Sequence, residues 1–153
     1  MNDPTFTAMK RNDPEVVEAH AKAAATIPDF IAAVQGGGSR KYLAKLRFRD
    51  PDISEKLGED RFFYLWLHEV AYHPDEKLLS GEFFEVPEGF EKWHPVGSRL
   101  GFEAEDVFDW MILDNGLLRG GFTIRVHRSR LPKDQRAAHD EFIGATSYDP
   151  PEQ

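Results

Sequence analysis

The chain has 153 residues, a formal net charge of −8 and a pI near 5.2. It contains no cysteine, which excludes disulfides, thiolate-bound zinc and a thiol nucleophile. The acidic balance argues against general nucleic-acid binding, and no stretch approaches the ~20 apolar residues of a membrane-spanning helix.

The length suits one domain, burying about 70% of the surface that the unfolded chain exposes. The first thirty residues hold no apolar run that reads as a signal peptide, so a cytoplasmic protein is expected. Composition and motifs call for no cofactor. We expect a polar arm over 1–12, a single α+β domain over 13–145 and a tail over 146–153.

Asp13-Pro14-Glu15 has the form of a helix start, with an N-cap, a proline in the first turn and an acid to meet the helix dipole. The alanines at 19, 21, 23, 24 and 25 offer a small face for close packing. Thr26-Ile27-Pro28-Asp29 reads as a second start, with Thr26 as cap and Pro28 breaking or kinking one continuous helix. Gly36-Gly37-Gly38-Ser39 ends that second helix. Residues 40–49 alternate, with Tyr42, Ala44, Leu46 and Phe48 inward and Lys41, Lys45, Arg47 and Arg49 on a basic outer face. Residues 53–60 read as an acidic loop. Residues 61–72 are apolar on both faces and predict an interior strand. A third strand is expected over 78–86, where Gly81 marks a bulge or a close backbone approach. Another begins after Gly97. Asn115-Gly116, a type I′ turn signal, centres a hairpin over 107–126, because both middle positions of that turn need positive φ. Leu131-Pro132 opens a last helix, with Ala137, Ala138, Phe142 and Ile143 as its apolar side.

Helices first, then strands, then a helix predict an α+β fold. The N-terminal helices would pack on a strongly bent antiparallel sheet or small barrel, followed by a C-terminal helix.

The residues with most chemical promise cluster in the hairpin. Asp109-Trp110 reads either as a recognition pair, with Trp as the anchor, or as an acid bonding turn backbone beside a core ring. Gly120-Gly121 would admit a ligand close to the backbone or form a bulge. With Thr123 and Arg125 these make the candidate ligand- or partner-binding set: Asp109, Trp110, Gly120, Gly121, Thr123 and Arg125. The six histidines form no His-x-x-x-His pattern. His68 reads as a buried neutral imidazole. His68, His73 and Glu69 could approach a metal only through the fold, so no metal site is predicted. No serine lies in Gly-x-Ser-x-Gly, no phosphate loop is present, and we assign no catalytic residue.

Charge is uneven. Residues 50–106 carry fifteen acids and five bases, whereas 119–139 carry six bases against Asp134. These bases are expected to pair with the chain's own acids.

Several blocks resemble one family. They are Thr26-Ile27-Pro28-Asp29-Phe30, residues 63–70 with Trp66, and Leu79-Ser80-Gly81-Glu82-Phe83. The most specific is Val107-Phe108-Asp109-Trp110-Met111, followed by Asn115-Gly116 and Gly120-Gly121-Phe122-Thr123-Ile124-Arg125-Val126. Over about residues 21–143 the chain resembles the YegJ-like bacterial domains of unknown function. Relatives carry Asn-x-Pro after the third strand, where this chain has Glu85-Val86-Pro87. The resemblance implies the α+β architecture and a bacterial origin, and no activity.

The expected function is a small binding or accessory domain acting on a protein or small-molecule partner through the surface around the 109–125 hairpin. One alternative is a hydrolase-like enzyme with Asp109, His68 and Arg125 in a cleft. Another is an inhibitor or immunity-type protein using its acidic surface.

Overall fold

A computed structural model describes residues 13–152. The arm expected over 1–12 lies outside them. Helix α1 spans Pro14–Gly36 without interruption. Asp13 accepts from the Glu15 N–H at 3.0 Å, the cap that the sequence implies. The expected break at Pro28 does not occur. Phe30 and Val34 beyond it are buried, and this packing keeps the second half helical although proline removes one internal hydrogen bond. Thr26 is therefore not a cap. Its hydroxyl donates back to the Lys22 carbonyl at 2.7 Å.

The remaining elements are β1 (Lys41–Arg49), α2 (Pro51–Leu57), β2 (Phe62–His73), β3 (Leu78–Phe83) and β4 (Arg99–Phe102). A 3-10 turn (Ala104–Asp106) leads into β5 (Val107–Asp114), β6 (Leu117–Gly120), α3 (Phe122–Ser129), α4 (Lys133–Ile143) and β7 (Ser147–Asp149). Seven strands make one sheet in the order β4-β3-β2-β1-β5-β6-β7. All pairs are antiparallel except β6 and β7, which run parallel. The fold is α+β as expected. The barrel alternative is corrected, because β4 and β7 leave the sheet open.

Four local expectations are also corrected. Residues placed in an acidic loop form α2, which repeats the Asp-Pro-acid start of α1: Asp50 accepts from the Ile53 N–H at 3.0 Å. The hairpin's return strand stops at Gly120, and 122–126 are helical. Part of the expected tail supplies β7, and Tyr148 is buried. In α4 the buried side is His139 rather than Phe142, which is 57% exposed. Gly81 marks a close approach, since a Cβ there would stand 2.9 Å from that of Leu67.

The sheet carries a core on each face. α1 covers one, where Ala23 and Phe30 meet Ala44, Leu46, Leu65, Leu67 and Trp110. On the other, Leu43, Trp66, Met111 and Leu118 meet Ile124, Ala145 and Tyr148. β1 lies between β2 and β5, so its middle is buried on both faces. This corrects the basic outer face: Lys41, Arg47 and Arg49 are exposed, whereas Lys45 is 8% exposed.

Candidate functional site

The six residues singled out in the hairpin come together, but inside the protein. A bulge opposite Lys45 and Leu46 sets Asp109 directly across from Lys45. Asp109 is fully buried. Its Oδ1 accepts from the N–H groups of Trp110 (2.8 Å) and Phe122 (3.1 Å). Its Oδ2 accepts from the N–H of Thr123 (2.8 Å) and from the Thr123 hydroxyl (2.6 Å). All four partners are donors, the environment of an ionised, acceptor-only carboxylate.

Two of those donors are the first N–H groups of α3, which an α-helix leaves unpaired. The local N-cap residue, Gly121, has no side chain to serve them. Asp109 caps the helix from a neighbouring strand, its charge at the positive end of the dipole.

The chain enters that helix through Gly120 (φ 71°) and Gly121 (φ 60°), both in the left-handed region. A Cβ on Gly120 would lie 2.5 Å from the Trp110 carbonyl oxygen and 2.6 Å from its ring. Gly120 is thus pressed against Trp110, while a Cβ on Gly121 would stand 2.9 Å from the Leu118 side chain. Trp110 stacks on Phe30 with ring centres 5.3 Å apart. Its indole N–H donates to Thr26 Oγ1 at 3.0 Å, which anchors α1 to β5.

Lys45 completes the network and His20 packs beside it; neither is among the sequence candidates. Lys45 Nζ donates to Thr123 Oγ1 at 3.2 Å and lies over the rings of Tyr64 (5.2 Å) and Trp66 (6.0 Å). Burial pulls the Lys45 ammonium pKa down, against the pull of Asp109. Burial pushes the Asp109 carboxyl up, against Lys45 and the bonds from Thr123 and Trp110. His20 packs against Tyr64 and Phe108. Burial, and then Lys45, hold its pKa down at about 4. A lysine flanked by Ala44 and Leu46 in a strand neighbouring the hairpin was the one available signal, and alternation alone assigned it to the outer face.

Arg125, on α3, is also saturated. Nε donates to the Gly120 carbonyl at 2.8 Å, Nη2 to Leu118 (3.4 Å) and Asp149 (2.9 Å), and Nη1 to Pro150 (2.6 Å) and Glu152 (3.0 Å). This ties α3 to β6 and to the C-terminal segment. The neighbouring bases behave as expected of a mixed surface: Arg119 pairs with Asp149, Arg128 with Asp140, and Arg130 with Asp13 and Glu15.

His68 is half-buried and stacks on Phe84 at 4.5 Å. Among the described residues, none of the hydrogen bonds of Asp109 or Arg125 involves His68. His73 Nε2 lies 2.8 Å from Ser80 Oγ. Among the described residues no group of three or more His, Asp or Glu stands where it could hold a metal ion, and no helix is long and apolar enough to cross a membrane.

Above the network, α1, α3 and the C-terminal segment enclose a small groove of about 180 Å³. Glu15, Glu18, Lys22 and Ser129 form its rim, with Phe122 and Arg125 below.

No solved structure matches the chain. Over 101 residues, 66% of its length, it is 30% identical to a protein of Neisseria meningitidis serogroup B whose name describes an ankyrin repeat protein. The chain spans 36% of that relative. A family model matches residues 13–146, which include every element from α1 to α4. The chain belongs to the family described as "Uncharacterized protein conserved in bacteria (DUF2314)".

Proposed function

We propose that the chain is a cytoplasmic binding or accessory domain that engages a protein partner through the surface over the 109–125 hairpin. The observation that carries this reading is the saturation of Asp109 and Arg125 inside the hairpin cluster. Asp109 already receives four hydrogen bonds and Arg125 donates five. They frame a surface rather than react on one. That frame fixes α3 against α1 and shapes the groove between them. Three acids line the groove, Glu15, Glu18 and Glu152, each paired with a base of this chain (Arg130, Lys22 and Arg125), a mixed-charge rim that suits a polar surface of a partner. The meningococcal relative is longer than this chain and is named as an ankyrin repeat protein; ankyrin repeats stack into extended binding surfaces, which supports an accessory role. Within the family we assign the chain to the YegJ-like group, on the Val107-Phe108-Asp109-Trp110-Met111 and Gly120-Gly121-Phe122-Thr123 blocks.

The test is affinity capture from a lysate of the native bacterium, using the parent and rim variants Glu18→Lys and Ser129→Arg as baits. Both positions are exposed or half-exposed, so the variants should fold. A stoichiometric protein captured by the parent and lost from both variants is the expected result. Equal capture by all three baits would overturn the reading.

A further inference from the structure

A second groove, of about 560 Å³, lies at the C-terminal end of α1, between that terminus, the start of β1 and the bulge in β2. Its size is that of pockets that take small organic molecules. Arg40, Lys41 and Arg99 line it, against one acid, Glu69, together with the rings of Tyr42 and Tyr72.

The two arginines are held in place by their neighbours, Arg40 from outside the groove and Arg99 from outside it and from its wall. Arg40 Nε pairs with Asp114 at 3.3 Å, and among the described residues its two amino groups have no ion pair with another acid. Arg99 Nη1 donates to Ser80 Oγ at 2.7 Å, and Nη2 donates to Glu82 at 3.2 Å and to the Glu69 carbonyl at 2.8 Å. Its Nε remains. Among the described residues Lys41 has no ion pair.

The walls are equally fixed. Glu69 has φ 50°, in a region that non-glycine residues rarely occupy, and Arg99 clasps its carbonyl. Strained backbone of this kind concentrates at binding sites. The Tyr42 hydroxyl lies 2.9 Å from the carbonyls of both Ala33 and Gly37 and so pins the glycine turn that closes the other side.

We propose that this groove binds a small organic anion, a carboxylate or phosphate ester with a flat body against Tyr72, whose head group meets Lys41, Arg40 and Arg99. The proposal is independent of the partner surface over the hairpin.

The test is an amide NMR titration of the full chain at constant ionic strength, with phenyl phosphate and with benzoate as probes. Saturable shifts are expected at Gly37, Gly38, Lys41 and Ala71. Lys41→Glu, at an exposed position, should weaken binding about fivefold or more, and Glu69→Gln should tighten it. Stronger binding of phenyl phosphate assigns a phosphate ester, and the reverse order a carboxylate. No saturable shift with either probe, or an affinity unchanged in Lys41→Glu, would overturn the proposal.

Discussion

Asp109 in β5 holds Thr123 at the start of α3 twice, through its N–H at 2.8 Å and its hydroxyl at 2.6 Å. The same hydroxyl accepts from Lys45 at 3.2 Å, so the hydrogen bonds run in one direction from ammonium to hydroxyl to carboxylate. A central strand, a hairpin strand and a helix terminus are thereby joined at one buried point.

The glycine turn next to this point should be intolerant of a side chain. Gly120→Ala would place a methyl against the Trp110 carbonyl and ring and strain a positive φ. A loss of about 2–3 kcal/mol is expected from overpacking and backbone strain. Gly36→Ala is the control, because nothing lies within 4 Å of a Cβ there. It should be neutral or stabilising by up to about 1 kcal/mol. Urea denaturation of the two variants checks both.

Arg125→Met should release the C-terminal segment before it unfolds the domain. It removes five donors and leaves the carbonyls of Gly120, Asp149 and Pro150 without their partner. Amide exchange at the residues of β7 should rise at least about tenfold, since each buried charged hydrogen bond contributes roughly 1.5–3 kcal/mol, while β1 and β2 keep their protection. Equal loss throughout the sheet would mean that Arg125 supports the whole fold.

His20 should make the protein acid-sensitive. Its folded pKa, about 4, lies below the ordinary 6.5. Between these values the unfolded chain carries a proton that the folded one refuses, so stability falls as pH drops through that window and is unaffected above it. His94, His127 and His139 are also held down, chiefly by burial, and add to the slope. The urea midpoint should fall between pH 7 and pH 5, and by less in His20→Phe, whose ring would keep the contacts with Tyr64 and Phe108.

What was legible in the chain was local. The Asn115-Gly116 turn, the strand over 40–49 and the Asp13 cap each depend on residues a few positions apart, and the structure retains them, although the alternation within that strand does not survive its burial on both faces. What misled was decided at a distance. The helix after Gly121 gets its cap from Asp109, thirteen residues before Phe122, so Phe122-Thr123-Ile124-Arg125-Val126 looked like a strand with suitable β-formers. Pro28 is tolerated because Phe30 stacks on Trp110, eighty positions away. Lys45 is buried because β2, β5 and the elements over the second face meet there. The candidate site shows the same division: its residues were recognisable as a group, but which side chains would saturate one another depended on the tertiary fold.

The most direct test of this buried frame is a double-mutant cycle on Lys45 and Asp109, read by urea denaturation. Each single change, Lys45→Met or Asp109→Asn, leaves a buried charge uncompensated and should cost about 3–5 kcal/mol. The double variant should cost less than the sum of the two by at least about 1.5 kcal/mol, the coupling of groups in one network. Additive losses would contradict the account, because Lys45 and Asp109 would then act independently and the hairpin residues would not form a single frame.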